Sequence, residues 1–245
     1  MPTLSFVVPC FNEEDVLPQT IHRVLEAGGA LGASFEAILV DDGSTDRTWD
    51  LITAAARQHP SILGVRLSRN FGQQPALIAG LSRSTGEHVL LLDADLQDPP
   101  DLAPALLARA REGYDVVVGV RRSRAGETWT KRATAWMFHR ILNVVAEKPI
   151  PVDSGIFALL SRRAVDSLLA RTDLDRYLRA LLSLLPFPHA TLAYDRPARA
   201  AGATHYSFRG LVRVAWHGIR TTARRASPTP CPASAVVEIG EVTAR

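Results

Sequence analysis

The 245-residue chain has few of the features that define disulfide-linked, secreted or membrane-spanning proteins. Its two cysteines, Cys10 and Cys231, lie far apart in the sequence and suggest no disulfide framework. No run of 18 consecutive apolar residues occurs, so no transmembrane helix is predicted. The N-terminus has neither a basic region nor an apolar run long enough for a signal peptide. These absences predict a protein of the reducing cytoplasm.

Motifs for phosphate and nucleic-acid binding are also missing. No G-x-G-x-x-G follows the first predicted strand, and no G-x-x-x-x-G-K-[ST] occurs anywhere. The formal net charge is only +3, although residues 196–237 contain seven arginines and no carboxylate. That basic part has no RNP, helix-turn-helix or zinc pattern, so we expect an anionic partner other than nucleic acid.

What the chain does have is a regular alternation of strand and helix patterns. Apolar residues make up 47% of the sequence, enough for a substantial core in one large domain. Short aliphatic runs alternate with helical periodicity, which predicts an α/β fold with a mostly parallel central sheet flanked by helices. The predicted strands are Leu4–Pro9, Phe35–Val40, Gly64–Ser68, Val89–Leu92 and Asp115–Val120.

Carboxylates follow three of these strands, at Glu13, at Asp41 and Asp42, and at Asp93 and Asp95. Parallel strands hold their ligands at their carboxyl ends. Carboxylates at this edge suit a phosphorylated ligand only if a divalent cation lies between the carboxylates and the phosphate. The run from Asp93 to Gln97 offers hard oxygen ligands for Mg²⁺ or Mn²⁺. The alternative is an acidic turn that only caps the next helix.

Several ordered motifs resemble family 2 glycosyltransferases with the GT-A fold. The branch they resemble contains dolichol-phosphate mannose synthase and the bacterial polyprenyl-phosphate glycosyltransferases. The similarity extends over roughly residues 4–218. The motifs that carry it are residues 8–14, 40–46, 68–72, 93–100, 152–157 and 199–206.

The resemblance implies an inverting transfer of sugar from a GDP- or UDP-sugar to a polyprenyl phosphate. It implies a nucleoside pocket lined by Pro9, Phe11, Glu13, Val40 and Asp42. It places the donor against Asp93 and Ala94, and Mg²⁺ or Mn²⁺ against Asp95 and Gln97. Arg121 would contact donor phosphate or sugar, and Arg199 and His205 would close over the diphosphate or the lipid phosphate. The predicted catalytic residues are Asp95, Arg121 and Asp153.

The role of Asp153 depends on the acceptor. Asp153 occupies the position often proposed for the base in this family. A phosphate monoester is largely ionised near neutral pH because its second pKa is about 6, so it scarcely needs a base. Asp153 would then contact a sugar hydroxyl or orient the substrate. A hydroxyl acceptor would require Asp153 as a base.

The sequence departs from the polyprenyl-phosphate pattern in two motifs. His205 stands where that branch usually has lysine, and Ile156 and Ala158 replace an acid and an arginine after Asp153. Residues 175–179 contain no Q-x-x-R-W, which argues against a processive polysaccharide synthase. His205 and the lack of a predicted transmembrane helix favour a second hypothesis, a soluble acceptor such as a peptide or a secondary metabolite. A third hypothesis is a catalytically silent nucleotide-sugar-binding module.

The chain is predicted to contain a catalytic domain at 1–206, an amphipathic basic helix at 207–226 and a flexible tail at 227–245. In the helix, apolar residues including Trp216 share one face and arginines share another, as in helices that lie on anionic lipid. The alternative is a helix packed on the catalytic domain. A second apolar helix predicted at 128–145 could guide a prenyl chain or belong to the core. We expect peripheral association with the inner face of the cell membrane; no oligomeric state is predicted.

Overall fold

The computed structural model describes residues 2–122, 154–171, 178–195 and 239–243. Within them lies one eight-stranded sheet. Its strands are β1 (Leu4–Cys10), β2 (Phe35–Asp41), β3 (Ile62–Leu67), β4 (His88–Leu91), β5 (Val116–Arg121), β6 (Ser154–Ser161), β7 (His189–Tyr194) and β8 (Ile239–Val242). The helices are α1 (Leu17–Ala30), α2 (Thr48–Gln58), α3 (Gln73–Arg83), α4 (Ala103–Arg111), α5 (Arg162–Leu169) and α6 (Leu178–Leu184), with a 3₁₀ turn at Pro100–Leu102.

The strand order is β7-β5-β6-β4-β1-β2-β3-β8. Strand β1 pairs in parallel with β2 and β4, β2 with β3, and β5 with β7. Only β6 and β8 run antiparallel to their neighbours among these strands. The predicted mostly parallel sheet with flanking helices is therefore confirmed.

Apolar residues on both faces of the sheet explain why the strands read as continuous aliphatic runs. One core cluster joins the sheet to α3, α5 and α6, with Leu77, Val165 and Leu181 almost fully buried. The other joins it to α1, α2 and α4, with Leu17, Ile52 and Leu106 almost fully buried. The sheet is thus a rigid middle layer that fixes the positions of the loops at its edges.

Strand β6 enters the sheet between β4 and β5 from the opposite direction. Ser154 pairs with Val120, and Ala158 pairs with Leu91. Because β6 is antiparallel to both neighbours, its first residues lie at the edge where the parallel strands end. The chain therefore enters β6 at that edge, directly after Asp153, which itself lies outside the described residues.

The C-terminal strand β8 was not predicted. Ile239–Val242 pair antiparallel with β3, and the main-chain N–H of Gly64 donates to Oγ1 of Thr243 (2.9 Å). The prediction of a flexible tail at 227–245 is therefore wrong for Ile239–Val242. These residues supply backbone partners to the outer edge of β3, an edge that would otherwise expose unpaired main-chain groups. The predicted helices at 128–145 and 207–226 lie outside the described residues.

None of the helices in the described ranges is both long enough and apolar enough to cross a bilayer.

A buried carboxylate at the amino end of β5 makes stability depend on pH. Asp115 is 4% exposed and accepts hydrogen bonds from the Arg163 guanidinium and from Oγ of Ser161. Arg163, and to a lesser extent Ser161, hold the pKa of Asp115 below its usual range. A lowered folded-state pKa means that this contribution to stability is present above the unfolded pKa of about 4 and is lost as the pH falls through the folded pKa.

We expect the wild type to lose more free energy of unfolding than Asp115→Asn when the pH is lowered from 5 to 3. Urea titrations at the two pH values measure both losses. The variant Arg163→Met removes the main hydrogen-bond partner of Asp115. It should likewise reduce the pH dependence of the free energy of unfolding. Equal losses in the wild type and in Asp115→Asn would contradict this account of Asp115.

Candidate active site

Polar residues collect at the edge where β1, β2, β4 and β5 end. Strands β1 and β2 end together, because Cys10 pairs with Asp41. Strand β4 ends at Leu91, two residues before Asp93, and β5 ends at Arg121. The topology therefore brings together the acidic loops that follow β1, β2 and β4, and it places Arg121 at the same edge.

The loops after β1 and β2 interlock. The main-chain N–H of Asn12 donates to Oγ of Ser44 (3.0 Å), and Oδ1 of Asn12 accepts from the N–H of Thr45 (2.9 Å). The N–H of Glu13 donates to Oγ1 of Thr48 (2.9 Å). Asn12 has a φ of 53°, in the left-handed region that asparagine tolerates better than most residues. These bonds hold Glu13 in place, and neither Ser44 nor Thr48 was predicted to belong to the site.

The carboxylate of Asp42 fixes the turn after β3. Asp42 is 2% exposed, and its two oxygens accept hydrogen bonds from the N–H groups of Phe71 (2.7 Å) and Gly72 (2.8 Å). Burial raises the pKa of Asp42, and the two N–H donors oppose that rise. Asp42 therefore shapes the predicted nucleoside pocket through the turn at residues 69–72.

The other predicted pocket residues differ in exposure. Phe11 is 38% exposed, an unusual value for a large apolar side chain in the described part of the chain. Pro9 and Glu13 are half-buried. Val40 is fully buried in the core beneath α3, so its side chain is not available to a nucleoside. Phe11 is therefore exposed enough to contact the planar ring of a ligand.

The loop after β4 has a tightly folded backbone. Nε2 of Gln73 donates to Oδ1 of Asp93 (2.5 Å), and the carbonyl of the buried Ala94 accepts from Oγ1 of Thr20 (2.6 Å). The N–H of Gln97 donates to Oδ1 of Asp95 (3.1 Å). Leu96, between the two predicted metal ligands, has a φ of 59°. A bulky residue in this region is strained, and such strain persists only where the surrounding contacts enforce it.

The donor atoms of this loop suit a hard divalent cation. Asp95 supplies a carboxylate and Gln97 an amide oxygen, and Mg²⁺ and Mn²⁺ favour oxygen ligands. Among residues 2–122, 154–171, 178–195 and 239–243, no group of three or more His, Cys, Asp and Glu side chains could hold a metal ion. The described side chains therefore fit part of a coordination shell, which phosphate oxygens of a ligand would complete.

A buried cluster lies beside this loop. Arg121, whose side chain is 24% exposed, has Nη2 3.9 Å from Oδ1 of Asp98, a residue with no exposure. The Tyr194 hydroxyl donates to the same oxygen (2.5 Å). Burial and the neighbouring Asp98 raise the pKa of Tyr194, so its hydroxyl remains a donor. A guanidinium beside the acidic loop suits a diphosphate bridged by a metal ion.

Sequence reasoning placed Arg121 in the site but missed Asp98 and Tyr194. Asp98 directly follows the predicted metal ligand Gln97, which was the available signal. Tyr194 comes from β7, and no local pattern links it to the site. Asp153, Arg199 and His205 lie outside the described residues.

Comparison with known proteins matches this chain to a protein family and to a curated relative. The family model "Glycosyl transferase family 2" matches residues 5–169. The curated glycosyltransferase YkcC of Bacillus subtilis (strain 168) is 35% identical over 221 residues, which cover 90% of this chain and 68% of YkcC. Its name gives no sugar and no acceptor.

Two solved structures share the fold at lower identity. The glucosyl-3-phosphoglycerate synthase of Mycobacterium tuberculosis, solved with Mn²⁺, UDP-glucose and phosphoglyceric acid, has a TM-score of 0.60 and 21% identity, covering 90% of this chain and 78% of that one. The mannosyltransferase PcManGT of Pyrobaculum calidifontis, solved with GDP-mannose and Mn²⁺, has a TM-score of 0.53 and 20% identity, covering 81% and 58%.

Proposed function

The chain belongs to glycosyl transferase family 2, and from this premise we propose that it transfers a sugar, with inversion, from a nucleotide-diphosphate sugar to a polyprenyl phosphate. The cofactor proposed is Mg²⁺ or Mn²⁺. The observation that carries the donor half of this proposal is the position of Arg121, whose Nη2 lies 3.9 Å from Oδ1 of Asp98, the residue that follows the 93–97 loop.

In this proposal Asp95 and Gln97 hold the cation against the donor diphosphate. A bound cation would offset the negative charge that grows on the departing nucleoside diphosphate. Arg121 adds a fixed positive charge from the end of β5, and because its side chain is largely buried the surrounding water screens it less. Phe11 offers an apolar contact for the base, and Glu13 is held beside it by the interlocked loops.

The nucleobase of the donor is uracil or guanine in this proposal. The Mycobacterium tuberculosis synthase was solved with UDP-glucose and PcManGT with GDP-mannose, each with Mn²⁺. Both donors are therefore candidates for this chain.

Two features support a lipid phosphate as acceptor. The motifs at residues 93–100 and 199–206 resemble the polyprenyl-phosphate branch, and residues 207–226 combine apolar side chains with arginines. An ionised phosphate can attack the sugar without a base, because it already carries the charge of a nucleophile. We accordingly propose peripheral association with the inner face of the cell membrane.

A soluble acceptor is the second candidate. It is favoured by the Mycobacterium tuberculosis structure, which contains phosphoglyceric acid, and by His205 in place of the lysine usual in the lipid branch. A hydroxyl acceptor would need a base, and Asp153 is the residue we propose for it.

A transfer assay tests the proposal. The enzyme is incubated with Mn²⁺ or Mg²⁺, with labelled UDP- or GDP-sugars, and with a short polyprenyl phosphate, and the products are extracted into organic solvent. Label in the organic phase that disappears with EDTA is the expected result, and it identifies the donor at the same time. Sedimentation with anionic but not with neutral vesicles would support the membrane location.

Two other outcomes count against the lipid proposal. Hydrolysis of the donor without lipid product, together with transfer to phosphoglyceric acid, would favour the soluble acceptor. Failure to use any donor, by an enzyme that binds UDP or GDP with Mn²⁺, would favour a silent binding module.

A further inference from the structure

Asp98 and Tyr194 are buried polar groups that the proposed donor and metal contacts do not use. Asp98 has no exposure and Tyr194 is 4% exposed. Moving a carboxylate out of water is costly unless it is paired and hydrogen-bonded. The presence of both groups beneath the site therefore requires an explanation.

Tyr194 is held rigidly. It pairs with Arg121 in the β5–β7 ladder, and its carbonyl accepts from the N–H of Arg122 (2.9 Å). Its ring packs edge-on against Phe157, with 5.2 Å between centroids. Gly119 makes room for both rings, because a Cβ at this position would lie 2.3 Å from Phe157 and 3.0 Å from Tyr194. The hydroxyl of Tyr194 is thus a fixed donor.

Only one of the two carboxylate oxygens of Asp98 accepts a hydrogen bond from the described residues. Its Oδ1 accepts from Tyr194 and lies 3.9 Å from Nη2 of Arg121. Among the described residues, neither Oδ2 of Asp98 nor Nε of Arg121 has a hydrogen-bond partner. A carboxylate retained only for stability would be expected to use both oxygens. Besides the Tyr194 hydroxyl, its charged neighbour is the Arg121 guanidinium at the end of β5.

We propose that Asp98 is a positioning residue that, fixed by Tyr194, holds the Arg121 guanidinium beside the metal-binding loop before the donor binds. This inference rests on the proposed function, in which Arg121 contacts the donor. Asp98 follows Gln97 directly, so it also connects the loop of the proposed metal ligands to the end of β5. A long arginine side chain fixed in advance loses less freedom when it contacts a phosphate.

The test compares Asp98→Asn and Tyr194→Phe with Asp195→Asn. The first variant removes a charge at nearly constant shape, and the second removes a hydroxyl but keeps the ring. Asp195 is an exposed carboxylate 3.9 Å from Arg122 at the same end of the sheet, which makes its variant a matched control. Each variant is made in the wild type and in Arg121→Ala, and binding of UDP and GDP with MnCl₂ is measured by calorimetry.

We expect Asp98→Asn to weaken nucleotide binding about tenfold and Tyr194→Phe about threefold, with no change in Asp195→Asn. In the Arg121→Ala background both effects should disappear, because the group they position is absent. A purely structural role would instead lower the melting temperature and give equal effects in both backgrounds.

The outcomes separate this inference from the proposal on which it rests. Weak binding in Arg121→Ala with full binding in both Asp98→Asn and Tyr194→Phe would overturn the positioning role alone. Equal effects of Asp98→Asn in both backgrounds would do the same. Full binding in Arg121→Ala, or no binding of either nucleotide by the wild type, would overturn the donor contact of Arg121 and the inference with it.

Discussion

Replacing Asp95 by asparagine should lower the rate of sugar transfer by a factor of about 100 to 1,000. The substitution keeps the shape of the side chain and removes the negative charge that we propose for binding Mg²⁺ or Mn²⁺. The loss has the size found when one preorganised electrostatic contact to a developing charge is removed. Initial rates with saturating donor at several Mn²⁺ concentrations measure it, and excess Mn²⁺ should restore only part of the rate.

Asp101→Asn is the matched control. Asp101 lies a few residues further along the same segment, where it is exposed and pairs with Arg23 of α1. We expect its rate to stay within about twofold of the wild type, because exposed ion pairs contribute little. If Asp95→Asn transferred sugar as fast as Asp101→Asn, the metal would have to be bound elsewhere.

Replacing Gly43 by alanine should both destabilise the fold and weaken nucleotide binding. Gly43 has a φ of 68°, and a Cβ there would lie 2.4 Å from the carbonyl carbon of Arg69 and 2.6 Å from the nitrogen of Asn70. Both are backbone atoms, so the turn at residues 69–72 would have to move. We expect a loss of about 2–4 kcal/mol in the free energy of unfolding, by overpacking added to an unfavourable φ.

The displaced turn is the one that Asp42 anchors through Phe71 and Gly72. Binding of UDP or GDP with Mn²⁺ should therefore weaken at least about tenfold, as expected for a small displacement of a positioning element. Gly32→Ala is the control, since Gly32 has a similar φ of 61° but nothing within 4 Å of the added Cβ. It should cost only about 1 kcal/mol. Equal losses in the two variants would show that the contact with residue 69 is unimportant.

The sequence alone was sufficient to predict strands β1 to β5, which run parallel to one another. Strands β1 to β5 are short aliphatic runs buried on both faces, and this local property can be read from one stretch at a time. The acids after β1, β2 and β4 could be placed at a common edge because parallel strands end on the same side. That rule predicts where Glu13, Asp95 and Gln97 lie, whereas the nucleoside-pocket role of Glu13 is implied by the family resemblance.

Features that depend on distant pairing were not predictable in this way. Strand β6 lies antiparallel between β4 and β5, although it is far from β4 in the sequence. No local residue pattern identifies the strands with which it pairs. Strand β8 was assigned to a flexible tail because its pairing with β3 is equally remote. Val40 was placed in the pocket by motif, yet alternation along β2 directs its side chain into the core beneath α3.

The last two strands of the described residues lie on opposite edges of the sheet. Strand β7 ends at Tyr194 on one edge of the sheet, and β8 begins at Ile239 on the opposite edge. Seven inter-strand spacings of about 4.8 Å separate the two edges, roughly 34 Å in all. Tyr194 and Ile239 therefore lie about the full width of the sheet apart.

The pairing of β8 with β3 joins residues that are far apart in the sequence, since Gly64 and Thr243 stand 179 positions apart. During synthesis β3 is therefore made long before β8. Until β8 is made, the outer edge of β3 is open to pairing with another chain, which makes early chains prone to aggregation.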